Sequence, residues 1–387
     1  MKLDVRYLVL LAGVTCAPAL LSGQQFDESA VPPAPHVARF VIDLPDAQAT
    51  VSASGQAFVM DLQEVWKPIC GPGAEAMSRA QLAAIAASHQ QMMSDPAGRI
   101  IVDNSPGDAN INIVYVLAGS VPASAVPAFA AAEAYIESLF TDPITVTVNC
   151  SFASLSPGVL GGTGSTYGFV NYSGSRAGLV AGMDANDTIQ SSLPSGSTVP
   201  VRYTSGSTPT NEDRVFWTLA NFNSTVGPVA GTAANMQYST NFAWDFDPSN
   251  GIASGTYSFL DVIIHETGHA LGFTSGVDFR VNDIEAMDLY RFQRTDGGQD
   301  YNPDTLAEFT VRPRLARFNA PSDAHNTDFV SSEIRMSDGS PSQASHLRDQ
   351  SPPIGLMDPT LGFGQTFFPG FFTTSDLAIF DAIGYDR

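Results

Sequence analysis

His265-Glu266-Thr267-Gly268-His269 sets two imidazoles four residues apart, with a carboxylate beside the first. On an α-helix, positions i and i+4 share a face with Cβ atoms about 5–6 Å apart. Two neutral imidazole nitrogens at that spacing can meet one zinc ion at about 2.0–2.1 Å each. Glu266 then stands where a carboxylate can take a proton from a metal-activated water, the chemistry of metal-assisted hydrolysis. The helix that must present these groups is framed in the sequence. Leu260, Val262, Ile263 and Ile264 supply an apolar run into the motif, and Ser258 with Asp261 three residues on forms a capping pair. Gly272, three residues after His269, is a helix stop that tolerates left-handed backbone.

A catalytic zinc site takes three protein ligands and keeps a fourth position open for water. In the metzincin pattern a third histidine follows the helix-ending glycine by three residues, but Ser275 stands there in this chain. Ser345-His346 comes much later, followed eleven residues on by Met357 within Gly355-Leu356-Met357-Asp358-Pro359. This arrangement resembles the leishmanolysin-like metzincins, in which a long insertion separates the glycine from the third histidine and a methionine-containing turn follows. Trp244-Asp245-Phe246-Asp247-Pro248, the stretch from Gly272 to Asp278, and Asp376 to Tyr385 look like those of exported bacterial proteases of that group. The likeness covers roughly Ala109 to Arg387. It implies that His265, His269 and His346 hold one catalytic Zn2+, that Met357 forms a hydrophobic floor beneath it, and that about 273–344 are an insertion.

Read from the residues alone, other third ligands stay open. Glu285 suits a plan in which a downstream helix supplies a glutamate, and Asp278 and His325 are further candidates. His36 and His89 lie outside the catalytic region and receive no role. Asp245, Asp247, Ser249 and Asn250 resemble part of a Ca2+ loop, but Gly251 falls one position late and no glutamate closes it. A turn with exposed acids is the expectation there, with calcium as the alternative.

With 18 Lys and Arg against 39 Asp and Glu, the net charge is −21, which disfavours nucleic acid and anionic membranes as partners. Lys2 and Arg6, the mostly apolar stretch Tyr7 to Leu21, and the small pair Ser22-Gly23 read as an export signal. Gly13 and Pro18 interrupt that stretch, and no later one reaches the roughly 18 apolar residues of a membrane span. The expected location is therefore secreted or periplasmic. In an oxidising compartment Cys70 and Cys150 predict one disulfide, closing a loop of about 80 residues. As a rival reading, Pro68-Ile69-Cys70-Gly71 resembles the pro-segment motif by which some zinc proteases block their own metal with a thiolate, which would be that of Cys70.

The divisions expected are a signal peptide at 1–23, an N-terminal region and candidate pro-segment at 24–107, and a catalytic domain at 108–387. Strands are predicted at Ala38–Leu44, Ala57–Leu62, Ile111–Leu117 and Ile144–Cys150, where apolar residues alternate in whole or in part. Helices are predicted from Ser78 through Met92, over Val126–Phe140, after an Asn211 cap through Leu219, and from Thr373 to Gly384. The Gly- and Ser-rich region from Ser156 to Ser207 reads as connecting loops. The fold class expected is α+β: a metzincin-like catalytic domain with a twisted mixed sheet, a zinc-binding helix and a mostly irregular C-terminal part. The function expected is a secreted zinc endopeptidase acting on proteins or peptides, with Glu266 as general base. A zinc hydrolase of a non-peptide substrate, and a non-catalytic extracellular module retaining a structural metal, are the alternatives.

Overall fold

The computed structural model describes residues 50–51, 57–70, 79–104, 110–185, 187–203, 208–278, 283–293, 295–296, 299–300, 302–316, 325–328, 333–337, 339 and 342–387. The expected signal peptide, the Ala38–Leu44 strand and His36 lie outside the described residues. The first half of the chain runs through β1 (Thr50–Val51), β2 (Ala57–Cys70), α1 (Arg79–Ser94), β3 (Ile100–Val102), β4 (Asn112–Leu117), α2 (Val126–Glu137), β5 (Thr145–Ala153) and β6 (Val159–Asn171). There follow α3 (Tyr172–Ala181), β7 (Val199–Arg202), β8 (Thr210–Glu212), β9 (Arg214–Thr218), α4 (Leu219–Thr225), β10 (Thr232–Ser239), β11 (Trp244–Asp245), β12 (Tyr257–Ser258) and α5 (Phe259–Ala270).

The fold is mixed α+β, built on an eight-stranded mixed sheet in the order β1-β2-β6-β10-β5-β4-β3, with β9 also paired to β6. β4, β5 and β10 are parallel, whereas β6 runs antiparallel to β10 and β2 antiparallel to β6. Alternation along the strands divides the sheet into two unlike faces. On one face Ile113, Tyr115, Leu117, Val146, Val148, Cys150 and Met236 are fully buried, and α2 and α5 pack there. Phe129 of α2 meets Tyr115, Tyr238 and Phe259 at ring-centroid distances of 5.3–5.7 Å. The opposite face carries Asn149, Ser151, Asn235 and Gln237, and α1 lies across it.

Beyond α5, three short strands (Arg291–Gln293, His325–Asp328 and Glu333–Met336) form a small antiparallel sheet. Arg314–Leu315 adds in parallel to β7, and the last helix is Thr374–Ala382, capped by Thr373 and Asp376. Among the described residues no helix is long and apolar enough to cross a membrane.

Three expectations are corrected. Ser156–Ser207 is not a run of connectors, because it contains the 13-residue strand β6 and helix α3. Gly161, one of the glycines that made the stretch read as loop, leaves room for α5: a Cβ there would stand 3.3 Å from Glu266, Tyr238 and Val262 atoms. No helix starts at Asn211 either. Thr210–Glu212 and Arg214–Thr218 are strands, and Thr218 caps the helix that follows, because Val215, Phe216 and Trp217 are buried as a sheet segment. The Cys70–Cys150 disulfide is excluded as well: Cys150 is a free, buried thiol. Cys70 lies on β2 and Cys150 on β5, with β6 and β10 between them. Three strand spacings are about 14 Å, twice the roughly 7 Å that a bridge can span between Cα atoms.

Candidate metal centre

All twelve residues of α5 are buried, so the helix is a core element and its chemistry is carried inside the protein. Ser258 caps it by accepting from Asp261 N–H at 3.4 Å, and its own hydroxyl donates to the Asp261 carboxylate. That carboxylate also accepts from Thr366 Oγ1 at 2.8 Å and Phe367 N–H at 2.7 Å, tying the first turn to the C-terminal loop. At the other end Phe273 N–H reaches back to Gly268 O at 3.0 Å, the six-to-one bond of a Schellman turn. Gly272 takes φ +109° there, a conformation that a side chain would strain.

His265, His269 and His346 converge. Their Nε2 atoms approach at 3.1 Å (265 to 269) and 3.2 Å (269 to 346), and the three ligand atoms all lie within 4.8 Å of one another. Each Nδ1 faces a backbone carbonyl: Leu356 O at 2.7 Å for His265, Phe273 O at 2.8 Å for His269, and Gln343 O at 3.3 Å for His346. A carbonyl accepts only, so these contacts place the proton on Nδ1 and leave a bare lone pair on every Nε2. The short Nε2 approaches therefore hold no hydrogen bond, and a shared cation is what would make them favourable. A tetrahedral ion with bonds of about 2.0–2.1 Å spaces its nitrogens about 3.3 Å apart, close to the 265–269 and 269–346 separations. Burial pushes the His265 imidazole down to about 4, which keeps it neutral. The donor set fits a metal ion.

The third histidine is delivered by a polar network that sequence reasoning missed. Asp288 and Arg291, both fully buried, form an ion pair at 3.2 Å. Arg291 donates to Ser337 O and to Ala344 O at 2.7 Å each, the latter two residues before His346. Asp288 also accepts from Ser275 Oγ at 2.6 Å and Gly276 N–H at 2.8 Å, while Ser275 N–H donates to Ser345 Oγ at 3.0 Å. Ser275, at the position where a closer third ligand was sought, thus ties the helix-ending turn to the neighbour of His346. The i, i+3 spacing of Asp288 and Arg291 was the one local signal, and it does not tell a buried pair from a surface one.

Met357 packs against α5 at Gly268, between His265 and His269 in the chain: a Cβ there would sit 2.6 Å from Met357 Sδ and 3.0 Å from its Cε. The turn is held from below by Asp376, which accepts from Leu356 N–H at 2.9 Å and Met357 N–H at 3.1 Å. Leu356 O is in turn the carbonyl that orients His265. Burial pushes the Asp376 carboxyl up to about 6, opposed by these N–H bonds.

Glu266 faces β6. Thr163 Oγ1 donates to its Oε2 at 2.6 Å and also lies 2.9 Å from its backbone oxygen, which fixes the carboxylate. Thr163 carried no signal in the sequence because it sits in the glycine-rich stretch taken for loop.

The remaining candidates go elsewhere. Among the described residues the one cluster of metal-binding side chains is His265, His269 and His346. Glu285 caps the short turn Ala286–Tyr290 with Asp288. The side chains of Asp278, His325 and Cys70 lie outside the described residues. Asp245 and Asp247 accept from the backbone N–H groups of Asp247, Ser249 and Ala253, the pattern of a self-satisfied turn. His89 is buried on the polar sheet face, against Ser151 Oγ at 2.7 Å and Asn235 Oδ1 at 3.1 Å. Comparison of the chain with protein-family models, with curated proteins and with solved structures finds no match.

Proposed function

We propose that the chain is a zinc-dependent endopeptidase of the leishmanolysin-like metzincin type, hydrolysing peptide bonds with Glu266 as general base. The observation that carries this reading is the convergence of three imidazole Nε2 atoms on the helix whose Glu266 carboxylate is held by Thr163. His265, His269 and His346 would hold the ion. Three neutral ligands leave a zinc ion its full charge, which supplies the Lewis acidity that polarises a carbonyl and lowers the pKa of water toward about 7.

Glu266 does the proton work. Thr163 engages Oε2, and Oε1 lies beside Gly161, where the missing side chain leaves it space. The carboxylate takes the proton from the water that adds to the scissile carbonyl, then passes it to the amine nitrogen as the C–N bond breaks. Asp376, Leu356 and Phe273 hold the imidazoles in the ligating tautomer from behind.

The test is Glu266→Gln beside wild type, with zinc content and casein digestion measured with and without chelator. The variant is expected to keep stoichiometric zinc and to lose at least a hundred-fold in turnover, the range for a general base. Near-native digestion by Glu266→Gln would refute the role.

A further inference from the structure

We infer that Arg314 forms a buried site for a small monovalent anion of the halide class, fastened to the turn that delivers the third histidine.

Two arginines are fully buried, Arg291 and Arg314, and both bond to the turn Ala286–Tyr290 or its end. Their surroundings differ. Arg291 has the Asp288 carboxylate against it at 3.2 Å, and its fork is taken up by Ser337 O and Ala344 O. Arg314 donates from Nε to Leu289 O at 2.9 Å and from Nη1 to Arg312 O at 3.0 Å. Its Nη2 is buried with no acceptor, and among the described residues no carboxylate pairs with the guanidinium.

The charge is nonetheless present at neutral pH, since burial lowers this guanidinium only to about 10. A charge taken out of water is costly unless a counter-charge meets it. Phe292 and Phe309 approach Arg314 Cζ at 5.1 and 4.9 Å from their ring centroids, so both rings soften that cost without neutralising the ion. The neighbouring phenols do not neutralise it either. Burial pushes Tyr172 up to about 12 and Tyr290 well above its usual value, and Tyr172 gives its proton to Pro194 O at 2.7 Å. One positive charge and an unmet donor are left, and an anion supplies what both lack.

The site also selects among anions. A doubly charged oxyanion would leave excess negative charge in the interior, so one charge is the match. Enclosure and aromatic walls favour a small, weakly hydrated ion over an organic acid. Entry is short on one side: Arg312, whose carbonyl Nη1 holds, keeps a side chain 24% exposed. The surrounding chain carries a net charge of −21 and repels anions at long range, so capture depends on this local cation. Leu289, which Arg314 holds, follows Asp288 directly, so the ion steadies the turn from which Asp288 and Arg291 reach toward His346.

Thermal melts of the full, zinc-loaded chain test the site with bromide as the probe. Sodium bromide replaces sodium gluconate at constant ionic strength, gluconate being too bulky for a site with no exposed surface. The wild-type midpoint is expected to rise by at least about 2 °C and to saturate, as binding to the folded state requires. Arg314→Met, which removes the charge at similar length, is expected to lose that gain. It keeps His265, His269 and His346, so any halide effect on the metal itself would persist in it. Equal gains in both proteins, or none in wild type, overturn the inference. Should the variant not fold, wild-type crystals soaked in bromide decide, with an anomalous peak expected at hydrogen-bond distance from Arg314 Nη2. Absence of that peak overturns the inference, and a peak without the midpoint gain marks an adventitious ion only and overturns it too.

Discussion

Replacing Arg291 by lysine tests how the third ligand is delivered. Arg291 is fully buried, pairs with Asp288 at 3.2 Å, and donates to Ser337 O and Ala344 O at 2.7 Å each. The guanidinium thus fixes the backbone from which the His346 imidazole hangs. Lysine keeps the charge against Asp288, but one ammonium cannot span three acceptors laid out for a planar fork. Losing one or two charge-assisted bonds at about 1.5–3 kcal/mol each costs about 1.5–6 kcal/mol. Some of that loss falls on the fold as a whole and some on the metal-bound arrangement. If roughly half falls on the latter, zinc affinity drops by about 0.8–3 kcal/mol, roughly 4–160-fold, which brackets the range of about 10–100-fold for partners that orient metal ligands. The assay is zinc competition against a chromophoric chelator, beside thermal melts with and without metal. The melts should show a lower midpoint in both states and a smaller gain on adding zinc. A folded Arg291→Lys protein with wild-type zinc affinity would refute the argument that this network places His346.

The other expectations follow from the same geometry. His346→Ala should abolish stoichiometric zinc binding, and retained stoichiometric zinc would move the third ligand elsewhere. Gly268→Ala should destabilise by about 1–3 kcal/mol in urea unfolding, because overpacking against Met357 at 2.6 Å outweighs the helix-propensity gain of about 1 kcal/mol. The same change in a Met357→Ala background should cost less, and an equal cost in both would exclude the contact as its cause. Burial pushes the carboxyls of Asp142 to about 7, Glu212 to about 7 and Asp358 to about 8, above their unfolded values. The folded state then holds protons that the unfolded chain has released, so stability is lost as pH rises through this range, and melts should be a few degrees higher at pH 6 than at pH 8. His89, lowered by burial to about 4, acts the other way: its contribution is lost as pH falls below about 6.5, which should cap the gain on further acidification.

Much of α5 was legible because every rule it obeys is local. The spacing of His265 and His269, the Ser258 cap and the Gly272 stop all depend on residues within one or two turns. Segments whose alternation is local, such as Ile111–Leu117 and Ile144–Cys150, were readable as strands for the same reason, with ends shifted by a few residues. Reading failed where composition and packing disagree. Val159–Asn171 looks like linker, and only the close approach of α5 explains why glycine serves there better than a β-branched residue.

The sequence by itself determined two imidazoles, one carboxylate and the helix that aligns them, because 3.6 residues per turn leaves those side chains little choice. It could nominate His346 only through a family resemblance, since 77 residues separate it from His269. The tertiary structure decided the rest: which distant nitrogen closes the triad, how Asp288 and Arg291 carry it there, and that Thr163 grips Glu266. It likewise put β2 along the edge beside the site and kept Cys70 and Cys150 apart. Those outcomes depend on which strands become neighbours, and neighbours in a sheet are chosen by burial and pairing over the whole chain.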